Sequence, residues 1–210
     1  MEVKERIVSK AEELFMRYGI RSITMDDIAR ELAVSKKTIY QYFKDKDDLV
    51  MHVAFSHFNN DKNEICQITQ NCENAIAEVI EMSKHLKSTL REVNPSLFFD
   101  LQRYHPKVWQ LWQEHKKGFI IEQVKHNIER GIKEKVYKED LNIEVLAILR
   151  VAQIEMAFNN EIFPPSKFDI LTTQITLLEH FIRGIVTKKG YELLEEYFNK
   201  ATPSDLPIYN

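Results

Sequence analysis

The chain has 210 residues, of which 44% are hydrophobic, 29% charged and 10% aromatic. This length suits one good-sized domain or two small ones, and this composition fills a core and solvates a surface, which excludes wholesale disorder. With 5 glycines and 6 prolines, few turn residues are available for many short strands, so an all-β fold is excluded and a nearly all-helical one is predicted. The formal net charge of -3 means that any positive field for a nucleic acid is local.

The sequence has no stretch of about 18 uncharged apolar residues that would cross a membrane, and its first residues have no apolar run typical of a signal peptide. We therefore expect a cytoplasmic protein without membrane association. Cys66 and Cys72 lie six positions apart, which places them about 120° apart around a helix axis. We interpret both as reduced packing residues.

Several catalytic signatures are absent from the sequence. The five glycines are scattered, so neither a dinucleotide fingerprint nor a phosphate-binding loop is present. None of the seven histidines follows a glutamate by three positions, which removes the common helical metal-binding pairs. The charged run 133–140 is typical of a solvated helix face. We predict no catalytic site, no metal and no cofactor, and thus not an enzyme.

Two helices are predicted near the N-terminus. An apolar stripe at helical spacing predicts the first, and Gly19 ends it because glycine readily adopts the left-handed cap conformation. Thr24 begins the second as its N-cap, with Asp27 three positions on in a capping box and with Ile28 and Leu32 on its buried side. The stripe of the first helix consists of Ile7, Ala11, Leu14, Phe15 and Tyr18.

A third short helix of about nine residues follows the N-cap Ser35. Its period turns Ile39 and Phe43 inward and leaves a polar, basic outward side. Residues 34–46 contain four lysines and one aspartate, a local charge of +3. Two short helices joined by a tight turn and packed on a longer one form a helix-turn-helix, whose second helix enters the major groove of DNA. The alternative is that the tyrosines of this segment only pack the domain and its lysines are solvated.

Longer helices are predicted beyond residue 45, ending near prolines and at Gly131. We divide the chain into a helix-turn-helix domain at 1–48, a larger helical domain at 49–200, and a frayed tail at 201–210. The helices are predicted at 46–70, 73–92, 97–104, 107–130, 142–160 and 167–188.

Residues 7–49 resemble the TetR family of bacterial transcriptional regulators. The resemblance rests on the elements Ala11-x-x-Leu14-Phe15-x-x-x-Gly19 and Thr24-x-x-x-Ile28-Ala29, and on the run from Val34 to Leu49 with its Tyr40-x-Tyr42-Phe43. It implies an all-α fold with an N-terminal three-helix DNA-binding domain and a C-terminal helical domain that dimerises and binds a small molecule. It also implies that a homodimer binds a roughly palindromic double-stranded DNA operator.

The resemblance divides the DNA-contacting residues into two groups. Those that it places on phosphates are Thr24, Tyr40, Tyr42 and Lys46. Those that it places near base edges are Lys36, Lys37 and Thr38, and Gln41 lies on the same outward side. Lys37 stands where many members have glycine, so this helix brings an additional long cation either to a guanine edge or to a phosphate; both alternatives stay open.

A homodimer is expected on physical grounds, because a helix of about nine residues spans about 13 Å and reads few base pairs. The segments 141–158 and 168–186 have broad apolar sides that suit a four-helix interface between two copies, or else an ordinary core. The interface candidates are Leu146, Leu149, Leu177, Leu178, Phe181, Ile182 and Ile185.

An aromatic-rich middle section suits an apolar pocket with a few polar anchors for an inducer. The same residues at helical spacing also suit a plain core, and the sequence does not identify the inducer. The pocket candidates are Phe98, Phe99, Tyr104, Trp109, Trp112, Phe119, Gln153 and Met156.

Our leading hypothesis is a ligand-responsive transcriptional regulator, most simply a repressor that binds a palindromic operator as a homodimer and is released by a small-molecule inducer. An activator of transcription is equally compatible with the sequence. The alternative class is a helical protein-interaction module without specific DNA binding.

Overall fold

Helices make up most of the described chain, as the composition predicted. The computed structural model describes residues 2–90, 93–94 and 96–200, without the side chains of 198–200. In these residues the only extended pairing is an isolated antiparallel bridge between Tyr137 and Val186. The helices are α1 (Val3–Tyr18), α2 (Met25–Glu31), α3 (Lys36–Tyr40), α4 (Lys46–Asn71), α5 (Ala75–Leu90), α6 (Leu97–Tyr104), α7 (Pro106–His115), a π-helical turn (Lys116–Ile120), α8 (Ile121–Lys133), α9 (Ile143–Ala157), α10 (Ile170–Ile185) and α11 (Lys188–Lys200).

The helix predicted at 107–130 differs from the observed one in two ways. The π-helical turn interrupts it, and α8 continues through Gly131 instead of ending there. A Cβ atom at Gly131 would lie 2.1 Å from Cδ2 of Tyr137, so this glycine permits close packing rather than stopping the helix. Helix α11 was not predicted at all, and the predicted tail 201–210 lies outside the described residues.

The chain folds as two compact units. Unit 1 comprises Met1–Asn63 with Glu92–His115, and unit 2 comprises Glu64–Arg91 with Lys116–Asn210. Two of the three boundaries along the chain fall within α4 and at the start of the π-helical turn. The predicted boundary between residues 48 and 49 separates two functional domains rather than two compact units. It stays a prediction.

Unit 1 has an apolar core to which all three N-terminal helices contribute. The stripe of α1 is buried except for Tyr18, which ends the helix 46% exposed with the guanidinium of Arg17 5.3 Å from its ring centroid. Leu97 and Val108 complete this core from α6 and α7. Its N-terminal members include Ile7, Ala11, Leu14, Phe15, Ile28, Ile39, Phe43 and Leu49.

Unit 2 has its own apolar core around Tyr137, a fully buried residue. The Tyr137 hydroxyl lies 3.0 Å from Oδ1 of Asn127 and 3.3 Å from the carbonyl oxygen of Ala75, so it has acceptors inside the protein. The other buried members come from α5, α8, α10 and α11 and from residues 136 and 186. They are Ala75, Ile76, Ile80, Ile128, Val136, Phe181, Ile182, Ile185, Val186 and Leu194.

The sequence analysis also made predictions about membrane spans and about the two cysteines. Among the described residues, no helix is both long and apolar enough to cross a membrane. Cys66 and Cys72 are both free thiols of intermediate exposure.

Candidate DNA interface

A tight turn joins α2 to α3. Ala33 has a φ of 53°, in the left-handed region, and this reverses the chain direction after α2. The N–H of Val34 then donates to the carbonyl of Ala29 at 3.0 Å. The Ser35 hydroxyl accepts from the N–H of Thr38 at 3.0 Å and so caps the next helix, as predicted. The two helices of the predicted helix-turn-helix therefore follow each other within a few residues.

Thr24 fixes the beginning of α2. Its Oγ1 accepts from the backbone N–H of Asp27 at 3.2 Å, and its own N–H donates to Oδ2 of Asp27 at 2.9 Å. The two residues form the predicted capping box. Hydrogen bonds from Thr24, first from its side chain and then from its backbone, hold the pKa of the Asp27 carboxyl below its ordinary value. The capped end of α2 is exposed on the protein surface.

Helix α3 is amphipathic but shorter than predicted. Ile39 is fully buried and Phe43 is 1% exposed, so both side chains are on the predicted inward side. The α-helix covers only Lys36–Tyr40, because Asp45 already caps the next helix by accepting the N–H of Asp48 at 2.9 Å.

The outward side of α3 carries the predicted DNA contacts in exposed positions. Tyr40 and Tyr42 are 45% and 41% exposed, so they are not core residues of their domain. Thr38 is half-buried, and its Oγ1 lies 2.8 Å from Oγ of Ser35. The other exposed members of this side are Lys36, Lys37 and Gln41.

The two neighbouring lysines of α3 differ in their surroundings. Nζ of Lys36 donates to Oδ2 of Asp26 at 2.7 Å, and this hydrogen bond raises the pKa of Lys36. Lys37 makes no ion pair with a described residue. Asp26 was not predicted as part of the interface, since sequence spacing does not show a pair that forms between two helices.

Lys46 lies against its own domain. Its Nζ donates to the carbonyl of Ile20 at 2.5 Å and lies 5.9 Å from the ring centroid of Phe15. Partial burial lowers the pKa of Lys46. The ammonium group is therefore held in place before any nucleic acid binds.

Five of the predicted pocket residues belong to unit 1, where they separate into two groups. The Phe98 ring centroid lies 6.4 Å from that of Trp109 and 5.4 Å from that of Trp112, and Phe98 and Trp112 line an apolar cavity. Phe99 and Tyr104 are exposed on the surface with their centroids 6.3 Å apart. Exposure at 54% and 44% leaves these two rings outside the core.

Tyr104 has a partner that sequence reasoning missed. Arg21 places its guanidinium 4.6 Å from the Tyr104 ring centroid and donates to the Tyr104 hydroxyl at 3.2 Å. The two residues are 83 positions apart in the chain, so no local pattern predicts this pair.

The other three pocket candidates belong to unit 2. Phe119 is buried in the π-helical turn, and Gln153 and Met156 are half-buried on α9. The set predicted as one pocket is thus divided between the two units.

The predicted dimer residues also divide by burial. Phe181, Ile182 and Ile185 are 8%, 2% and 3% exposed in the core of their own unit, which leaves them little surface for a partner. Leu149 is 45% exposed. The remaining candidates, Leu146, Leu177 and Leu178, are half-buried.

Helix α9 exposes further apolar residues that the sequence analysis did not name. Val145 and Ile148 are 56% and 49% exposed, and they share one face of α9 with Leu149. The sequence of α9 is apolar on nearly all sides, and this pattern predicts exposed apolar residues.

The described residues contain no group of three or more His, Cys, Asp or Glu side chains that could hold a metal ion.

Residues 7–53 match the family described as "Bacterial regulatory proteins, tetR family". Over 106 residues the chain is 31% identical to the HTH-type transcriptional regulator YvaF of Bacillus subtilis (strain 168), an alignment that covers 50% of this chain and 55% of YvaF. The chain covers only 32% and 55% of the length of the first curated relatives that it matches.

The likeness to solved structures extends over most of the chain. A transcriptional regulator from Saccharomonospora viridis in complex with choline superposes with a TM-score of 0.71 at 17% identity, covering 88% of this chain and 98% of that one. The Bacillus subtilis regulator FadR in complex with stearoyl-CoA gives a TM-score of 0.64 at 19% identity, covering 86% and 98%. At these identities the likeness shows a shared fold.

A capped helix-turn-helix with an exposed polar helix, followed by a larger helical domain, defines the class of helix-turn-helix regulators. Its N-terminal domain, at residues 7–53, matches the TetR family of bacterial regulatory proteins. The predicted fold class and the family resemblance are both confirmed. The prediction that the chain is not an enzyme agrees with this family and with its relatives, which are transcriptional regulators.

Proposed function

We propose that the chain is a transcriptional repressor that binds a palindromic operator as a homodimer and is released by a small-molecule inducer. The observation that carries this proposal is the amphipathic α3, whose buried Ile39 and Phe43 anchor a helix with an exposed basic and hydroxyl-bearing side. Such a side supplies both phosphate contacts and hydrogen bonds to base edges. Because a protein that binds an operator works on bacterial DNA, we also propose that the chain is cytoplasmic.

The test is selection of binding sites from a randomised duplex library by the full-length chain. We expect enrichment of an inverted repeat whose half-sites are about 10 base pairs apart or a multiple of that spacing. Thr38→Ala should relax the preference at one position of each half-site, because Thr38 lies where family members reach bases. No enrichment over a scrambled competitor would reject the proposal.

The dimer part of the proposal rests on the exposed apolar face of α9, defined by Val145, Ile148 and Leu149. A contiguous apolar face on a helical domain marks an interaction surface. A second copy of the same chain fits this face, because two-fold symmetry pairs identical apolar patches and matches the two-fold symmetry of a palindrome.

The inducer part rests on coupling between two binding equilibria. An inducer shifts operator binding only by its differential affinity for the free and DNA-bound states. Calorimetry should therefore show weaker inducer binding to the operator complex than to the free dimer, and equal affinities would reject the coupling. Structural neighbours hold ligands as different as choline and stearoyl-CoA, so the fold places little restriction on ligand chemistry.

A second candidate function is a helical protein-interaction module. The ion pair between Lys36 and Asp26 favours it, because this pair reduces the positive charge on α3. Salt-sensitive nanomolar binding to DNA upstream of the coding region of this chain would exclude the module.

A further inference from the structure

Unit 1 contains an apolar cavity of about 110 Å³ beside the helix-turn-helix. Its walls come from α1, α4, α6 and α7 and from Ile20 in the loop after α1. Among the lining residues are Phe15, Ile20, Val50, Ala54, Leu97 and Trp112. Most of these are also members of the core that supports Ile39 and Phe43.

The chemistry of the cavity restricts its ligand. The charged or titratable side chains in its lining are Glu12 and His57, and these bond to each other, with Nδ1 of His57 2.7 Å from Oε1 of Glu12. Both are about one-quarter exposed, at 25% and 26%, so this pair is in contact with solvent. The other described lining residues offer no counter-charge to an ion, and an apolar cavity stays dry until an apolar molecule enters.

The size of the cavity also restricts its ligand. Native interiors contain few voids larger than a water molecule. An apolar cavity of roughly 150 Å³ is large enough to bind benzene, and this one is slightly smaller. It therefore accommodates one uncharged six-membered ring with at most a small substituent.

Two walls of the cavity hold Lys46 in place. Ile20 lines the cavity, and its carbonyl accepts the hydrogen bond from Nζ of Lys46. Phe15 lines it as well, and its ring lies under the same ammonium group. A ligand that displaces either wall changes the position of a cation that the family resemblance places on a DNA phosphate.

We propose that this cavity is an effector site for a small uncharged aromatic molecule, and that its occupancy weakens DNA binding by shifting Lys46. This inference rests on the proposed function for its DNA-binding step. The ligand class and the site itself stand on the cavity alone, and both are testable without DNA.

The first experiment is calorimetric titration of the full-length chain with toluene. We expect saturable binding of one toluene per subunit, weakened at least tenfold in Ala54→Leu, because the larger side chain fills the cavity. The matched control is Ala77→Leu, since Ala77 is 8% exposed in unit 2 and Ala54 is 9% exposed in the cavity wall. Absence of saturable binding, or equal affinity in Ala54→Leu and wild type, would overturn the site.

Crystals of the wild-type chain under xenon pressure make the test independent of any variant that fails to fold. A xenon atom between Phe15, Ala54 and Trp112 is the expected result. Xenon bound only elsewhere in the molecule would overturn the site.

The second experiment measures DNA affinity at fixed salt with and without toluene. We expect toluene to weaken DNA binding several-fold in the wild type and to have a smaller effect in Lys46→Ala. The basal DNA affinity of this variant is already lower, because each subunit has lost one phosphate contact. Toluene binding without any change in DNA affinity overturns the regulatory step. A chain that binds toluene but no DNA overturns the proposed function and leaves the ligand site in place.

Discussion

Arg150 is a buried charged side chain. It lies on α9 with 6% of its surface exposed, and its Nη1 has no hydrogen-bond acceptor among the described residues. Burial lowers the pKa of the guanidinium to about 10, so the group is still charged at neutral pH. A charge removed from water without a partner destabilises the folded state.

Replacing Arg150 by methionine should therefore stabilise the protein. We expect Arg150→Met to raise the free energy of unfolding by about 1–3 kcal/mol, because a flexible apolar side chain fills the space without a buried charge. The folded-state pKa is lowered, so the destabilisation is fully present below about pH 10 and decreases only above it. The gain in the free energy of unfolding, measured by urea denaturation, should thus be the same across the neutral pH range.

The control for this measurement is Arg103→Met, since Arg103 is exposed on α6 and its loss should change stability by less than about 0.5 kcal/mol. If Arg150→Met instead destabilises the chain, the guanidinium of Arg150 in the wild type must pair with an anion in solution.

Asp26 reduces the positive potential on the exposed side of α3. Both it and Lys36 are more than half exposed, at 61% and 51%, so their ion pair contributes little to stability. We expect Asp26→Asn to bind the operator several-fold more tightly, because Lys36 is released for DNA and one carboxylate near the phosphates is removed.

Fluorescence anisotropy at constant salt measures this effect, and Glu31→Gln, exposed at the far end of α2, is its control. Equal affinity of wild type and Asp26→Asn would show that Lys36 does not contact DNA.

At the level of single helices, the sequence was most informative where a cap and an apolar stripe coincide. Thr24 and Ser35 are the N-caps of α2 and α3 as predicted. The length of α3 was overestimated because apolar spacing continues to Phe43 although the backbone has already left the helix. Helix α11 was missed because Val186 and Thr187 separate it from α10 without a proline or glycine.

The capping box of α2 gives a prediction at this level. Thr24→Ala should lower the free energy of unfolding by about 1 kcal/mol. Thr24→Ser should retain most of the stability that the cap contributes, because serine is also a good N-cap. The pKa of Asp27 is lowered in the folded state, so the stability that it contributes is present above its ordinary value and is lost as pH falls through the folded-state value.

Denaturation at neutral and at acid pH tests this assignment. The stability difference between wild type and Thr24→Ala should decrease in acid, where protonated Asp27 no longer completes the box. A difference that is unchanged at low pH would mean that the threonine acts without its partner.

For the whole molecule, local patterns predicted the exposed side of α3 far better than they predicted which apolar residues are buried in a core. Period and charge indicated which side of α3 is outward, and burial of Ile39 agrees. Helical spacing does not tell whether an apolar face meets its own chain or a partner, so Phe181 entered the predicted interface although it lies in a core. The return of α6 and α7 to unit 1 depends on contacts between residues far apart in sequence.

The exposed face of α9 determines the last prediction. Ile148 lies on this face one helical turn from Val145, and it is 49% exposed. A glutamate there would be desolvated in a dimer at a cost of several kcal/mol, but would remain hydrated in a monomer. Ile148→Glu should therefore be monomeric in light scattering at concentrations where the wild type is dimeric.

The matched control is Val3→Glu, at a 38% exposed position on α1 in unit 1, which should stay dimeric. The Ile148→Glu monomer should still bind a single half-site weakly, because α3 is unchanged, but it should gain nothing from the second half-site of a palindrome. If Ile148→Glu binds a full palindrome as the wild type does, the two reading helices are held together by another surface.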